Sequence, residues 1–205
     1  MKKQLLIGAF ALLNIATVFS QTQIENGTFE AWENEGNDTE EPTQWSSLKT
    51  SNDDSWLNLA NQAPQVIWKE TSDPHGGSAC LKLKVANYNV LAGLSPNAIA
   101  TNGRVFASTT ASDAYVYTDS DAQWNTPCTD KPDSLIGWYK YIPQGSDKGK
   151  VEVLFHNSSS IGRLPADGTT SHHIGSGILE FTSTQSTWKR FSFPINYTSA
   201  NLPSS

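Results

Sequence analysis

Cysteine is almost missing from this chain: Cys80 and Cys128 are the whole supply in 205 residues, alongside one Met and four His. That scarcity excludes a structural zinc site, which takes four Cys or His ligands at short spacings. Basic residues are also few, 14 against 20 acidic ones, and they are scattered. Nucleic acid is therefore excluded as a partner, because releasing counterions from a polyanion needs clustered Lys and Arg. No Gly-rich loop of the phosphate-binding kind occurs, and Gly175-Ser176-Gly177 lacks the flanking pattern of a nucleophile elbow. Helix-like periodicity is rare after residue 20, and so are long apolar runs.

The exception is the beginning of the chain. Lys2 and Lys3 precede an apolar stretch from Leu5 to Phe19, broken by Asn14, and Val18 and Ser20 place modest side chains three and one positions before Gln21. These are the three parts of a cleavable export signal over residues 1–20, too short to span a bilayer of about 30 Å comfortably. Cleavage removes two basic residues and no acidic ones, so the mature chain over 21–205 carries a net −8 in place of −6. No Cys follows the cut to take a lipid, and no second apolar span follows, so the expected destination is secreted, periplasmic or cell surface. An exported chain meets an oxidising compartment, and one Cys80–Cys128 disulfide is then chemically open, with Cys80 as a small buried hydrophobe the alternative.

What remains is rich in short β-branched and aromatic runs bounded by Gly, Pro, Asn, Asp and Ser. Leu81, Leu83 and Val85 alternate with Lys82 and Lys84; Val151, Val153 and Phe155 alternate around Glu152; Phe191, Phe193 and Ile195 repeat the pattern. Period two puts each set on one strand face, and these faces need a shared core. Further strands are expected at Ile24–Trp32, Val66–Glu70, Ala114–Thr118, Leu135–Ile142 and Ile178–Thr182. The spans Asn34–Asn52, Asn87–Arg104 and Asn157–Gly177 read as long polar loops. The expected fold is an all-β, two-sheet antiparallel sandwich of jelly-roll type forming one domain. The polar trail from Ser199 to Ser205 suggests that the last strand or strands lie beyond the sequence.

Three stretches in order carry a resemblance. They are Asn26-Gly27-Thr28-Phe29-Glu30 followed by Trp32, His75-Gly76-Gly77-Ser78-Ala79-Cys80-Leu81-Lys82-Leu83, and Leu135-Ile136-Gly137-Trp138-Tyr139-Lys140-Tyr141-Ile142-Pro143. Together they resemble the PCMD-type carbohydrate metabolism domain of secreted Bacteroidetes proteins, similar to jelly-roll carbohydrate-binding modules. The resemblance implies a galactose-binding-like sandwich and a glycan partner. It also implies one structural calcium ion held by Glu30, since Ca²⁺ takes six to eight oxygen ligands.

Sugar recognition needs exposed aromatic faces with polar neighbours. Trp56, Trp124 and Trp138, out of seven Trp, are the candidate carbohydrate-binding residues; Asp53, Asp54, Asp121 and Asn125 flank the first two. Trp32, Trp45 and Trp188 read as core. No catalytic residue is singled out, because 20 acids make many pairs and glycoside hydrolysis needs one particular pair. The expected function is a secreted, non-catalytic carbohydrate-binding or glycan-handling module. The alternatives are a structural or adhesive sandwich of a larger secreted protein and, behind it, a polysaccharide-degrading enzyme.

Overall fold

The structure is a computed structural model that describes residues 24–53, 58–86, 97–157, 162–165 and 172–205. The expected export signal over residues 1–20 and the candidate Trp56 lie outside the described residues. The described residues are all-β apart from one short helix and single 3₁₀ turns. In order run β1 (Trp32–Glu33), β2 (Glu41–Pro42), α1 (Leu59–Gln62), β3 (Ile67–Glu70), β4 (Cys80–Leu83), β5 (Arg104–Phe106) and β6 (Tyr115–Tyr117). They are followed by β7 (Ser134–Tyr141), β8 (Gly149–His156), β9 (Arg163–Leu164), β10 (His173–Phe181), β11 (Gln185–Pro194) and β12 (Asn196–Tyr197). Every pairing between these strands is antiparallel, in the orders β1-β2, β3-β4, β5-β6-β9, β7-β11 and β8-β10-β12.

The two longest ladders make the sandwich. β8 pairs with β10 from Gly149 opposite Phe181 to His156 opposite His173. β7 pairs with β11 from Ser134 opposite Pro194 to Tyr141 opposite Gln185, with a bulge between Gln185 and Lys189. Their inner faces meet through aromatic rings: Tyr139 stacks on Phe181 at 4.0 Å, and Phe191 stands edge-on to Phe181 at 6.3 Å. A strand glycine makes room for each ring. Gly137 pairs with Phe191, Gly149 with Phe181 and Gly175 with Tyr197, and a Cβ on Gly137 or Gly175 would lie 2.6 or 2.5 Å from the partner ring. Such cross-strand pairs let an aromatic side chain lie down over a glycine and shield its backbone. Beyond them Cys128, Phe155, Ile174 and Ile195 form a buried cluster with Val153 and Tyr197 against it. Burial of each large side chain there contributes about 1.5–3 kcal/mol.

β6, β7, β8 and β11 stand where the alternation placed them. Phe193 and Ile195 are buried as the inward parity of their run requires. Four expectations are corrected. Ile24–Trp32 is not a strand but a run of turns, because Asn26 and Phe29 sit at φ 46° and 58°, and the Asn26 amide ties to Ala31 and Thr43 carbonyls at 2.8 and 2.9 Å. The stripe on β4 is not buried: Leu83 is 46 % and Val85 36 % exposed, since β4 pairs on one edge with β3 and no other described strand covers it. The polar span Asn157–Gly177 already enters β10 at His173. Cys80 and Cys128 are free thiols rather than a bridge. Cys80 sits on β4, Cys128 packs with Phe155, Ile174 and Ile195, and burial pushes both thiols up.

Candidate functional site

The inner parity of β7 and β11 decides what lies outside. With Tyr139, Phe191 and Phe193 turned to the core, Ile136, Trp138 and Lys140 on β7 and Trp188, Arg190 and Ser192 on β11 belong to the outer face. Trp138 is 46 % exposed there, directly opposite Arg190. Lys140 holds its Nζ 5.0 Å over the Trp188 ring.

The loop from β3 to β4, residues 71–79, folds onto this face. The His75 imidazole stacks on Trp138 with ring centres 3.9 Å apart and planes 19° from parallel, and meets Trp188 edge-on at 5.7 Å. Asp73 pairs with Lys140 and takes the Trp188 indole N–H on its carbonyl at 3.1 Å. The hydrogen bond from Lys140, with its charge, holds the Asp73 carboxyl below its ordinary range. Three rings and a salt bridge thus form one exposed platform from two strands and a loop.

The base of the loop is clasped by Glu30. Its carboxylate accepts from the Ser78 hydroxyl at 2.5 Å, the Ser78 N–H at 3.0 and 3.1 Å, and the Ala79 N–H at 3.3 Å. The Ser78 side chain first, then the Ser78 and Ala79 N–H groups, lower the pKa of Glu30. Gly77 is required at this point on two counts: its φ is +69°, and the Glu30 carboxylate presses where a Cβ would be. The Glu30 carboxylate is engaged by N–H and O–H donors, and among the described residues no group of three His, Cys, Asp or Glu comes together.

Of the two expected sugar-binding residues that the structure describes, Trp138 stands on an open strand face. Trp124 belongs to a 3₁₀ turn, Ala122–Trp124, beside β5 and β6. The Arg104 guanidinium covers its ring at 4.3 Å while pairing with Asp119 at 3.1 Å, so one face of that ring is taken. Trp56 lies outside the described residues. Trp188, expected in the core, is half-buried on the platform instead, whereas Trp32 and Trp45 are half-buried in the N-terminal turns, where Trp45 packs on Phe29 at 4.9 Å. His75 and Trp188 were missed as site residues. The parity that puts Phe191 and Phe193 inside puts Trp188 outside, so the second could have been found from the sequence.

Across β11 from the platform, an open groove of about 300 Å³ runs between the two sheets. Tyr139, Phe181 and Phe191 line it, with Lys189, Thr182 and Ser183 among its polar groups. Another acid has a strongly shifted pKa but no access: Glu41 has no exposed surface, and burial lifts its carboxyl to about 7. It accepts from the Ser47 N–H at 2.9 Å and from the Ser47 hydroxyl, and so braces the turn at Leu48–Thr50.

No protein-family model and no curated protein matches the chain. A solved structure it resembles is that of a candidate glycoside hydrolase from Bacteroides thetaiotaomicron, 13 % identical, with a TM-score of 0.45. The likeness covers 77 % of this chain and 50 % of that protein, so the chain spans about half of its length. Among the described residues no helix is long and apolar enough to cross a membrane.

Proposed function

We propose that this protein is an exported carbohydrate-binding module, non-catalytic, whose binding surface is the outer face of β7 and β11. The observation that carries this reading is Trp138, 46 % exposed on a strand face and braced by His75 at 3.9 Å. A rigid, open indole supplies the apolar surface on which the C–H face of a sugar ring packs, and Arg190, Ser192 and Lys140 around it supply donors for hydroxyls. A flat, open strand face suits a polymer lying along it, as against a cleft that encloses a bond to be broken. The export signal at residues 1–20 supports a location outside the cytoplasm, where polysaccharides are met.

Affinity electrophoresis against a panel of plant and marine polysaccharides tests the proposal. At least one polymer is expected to retard the wild-type chain, and Trp138→Ala is expected to remove the retardation while leaving the melting temperature in place. Free migration of the wild type through every polymer would overturn it, as would retardation that survives Trp138→Ala.

A further inference from the structure

The charges on either side of β11 are unevenly matched. On the platform, Asp73 is already neutralised by Lys140. At the groove, the lining acid is Glu180, which Lys148 pairs at 3.3 Å. Two cations of β11 are left over. Arg190 lies opposite Trp138 in the β7–β11 register and also reaches the rim of the groove, and Lys189 lines the groove beside Tyr139 and Phe191. Both are exposed, and neither takes part in an ion pair among the described residues. In a chain whose mature net charge is −8, two adjacent unmatched cations thus stand side by side among aromatic rings.

We infer that this strand selects an anionic glycan, one whose sugars carry carboxylate or sulfate groups, and that Arg190 and Lys189 are the residues that set the preference. The inference rests on the carbohydrate-binding reading of the same face. One sugar packs on Trp138 with its acidic group on the Arg190 guanidinium, whose planar fork matches a carboxylate or sulfate with two parallel hydrogen bonds. Adjacent positions of a strand project to opposite faces, so a polymer crossing β11 brings its next acidic group to Lys189 in the groove. There the groove offers a space of about 300 Å³, an aromatic floor, and the Thr182 and Ser183 hydroxyls. Repeated acidic groups on one chain engage both cations together, which a single neutral sugar cannot do.

The test uses four polymers with the whole mature protein: polygalacturonate, its methyl ester, a sulfated galactan and a neutral galactan. The ester keeps the sugar ring and removes the charge, and the sulfated polymer separates sulfate from carboxylate recognition. Affinity for at least one anionic polymer is expected to exceed that for its neutral counterpart by about tenfold or more. It should weaken as salt rises and fall to the neutral level in R190Q/K189Q. R190K/K189R keeps both charges and should retain at least part of the preference. Equal binding of neutral and anionic polymers, or a preference that survives R190Q/K189Q, would overturn the charge assignment while leaving the platform intact. Failure of the wild type to bind any of the four, neutral ones included, would remove the underlying reading as well.

Discussion

Replacing Glu41 by Gln should make the protein more stable above neutral pH and somewhat less stable in acid. Glu41 has no exposed surface; one carboxyl oxygen accepts from the Ser47 N–H and hydroxyl, and the other has no partner. Burial raises its pKa from 4.5 to about 7, more than the Ser47 and Thr50 hydrogen bonds can lower it. Between those values the unfolded chain has released a proton that the folded chain keeps, so stability falls as pH rises. The fall is about 1.4 kcal/mol per unit, about 3 kcal/mol in all, and it is complete above about pH 7. Below about pH 4.5 both states hold the proton and no penalty remains. Gln keeps the shape and an acceptor for Ser47 and cannot ionise. Allowing about 1 kcal/mol for a poorer hydrogen bond, E41Q should gain about 2 kcal/mol over wild type at about pH 8 and lose about 1 kcal/mol at about pH 4. Urea unfolding followed by tryptophan fluorescence at both pH values measures the two differences. Parallel pH dependences for the two proteins would refute the buried-carboxyl account.

Glu30→Ala should free the loop at residues 71–79: amide exchange at Ser78 and Ala79 is expected to quicken, and added Ca²⁺ should leave the melting temperature of the wild type unchanged. Because the Glu30 and Asp73 pKa values are both lowered, their contribution is complete above the ordinary carboxylate range and is lost as pH falls through the lowered values. The near-ultraviolet circular dichroism of the stacked Trp138 and His75 rings should therefore change in strong acid in the wild type. Gly77→Ala meets a strained φ of +69° and the Glu30 carboxylate together, so it should undock the loop and destabilise by about 1–2 kcal/mol, read by thermal melting. Ile174→Ala, at 1 % exposure within the Cys128, Phe155 and Ile195 cluster, should cost about 2–5 kcal/mol in denaturant unfolding.

Fold class was legible because period-two alternation is a direct statement about strand faces, and the runs at Val151–Phe155 and Phe191–Ile195 are long enough to state it unambiguously. It misled on β4, where Leu81, Leu83 and Val85 alternate just as cleanly but at the margin of the fold; alternation tells which side chains share a face, and cannot say whether anything covers that face. The opening Asn26–Glu30 run misled for a different reason. Its apolar residues look extended, while an Asn side chain that bonds backbone 5 and 17 residues away coils the segment into turns. The site was half legible. Trp138 was in view, but its stacking partner His75, like the Asp73 that pairs with Lys140, comes from a loop some sixty residues earlier in the chain. The Glu30 clasp, the Lys140 salt bridge and the Trp188 indole hydrogen bond to Asp73, all long-range contacts, put that loop there.

The same contacts limit how strongly the face can bind. His75 takes one side of the Trp138 ring, so the platform presents a single stacking face. Stacking on it contributes on the order of 1 kcal/mol beyond burial, and a charge-assisted hydrogen bond to Arg190 about 2 kcal/mol. Against the loss of rotational and translational freedom, contributions of that size leave one sugar bound only in the millimolar range. A useful affinity then has to come from a polymer that meets Trp138, Arg190 and Lys189 at once, since a second contact on a tethered ligand adds strength without a second loss of freedom. A short oligosaccharide covering the platform alone should bind far more weakly than the polymer it is cut from, and binding should climb steeply once the chain is long enough to cross β11. Affinity that is already maximal for a monosaccharide would contradict the two-sided strand and point to one enclosed pocket.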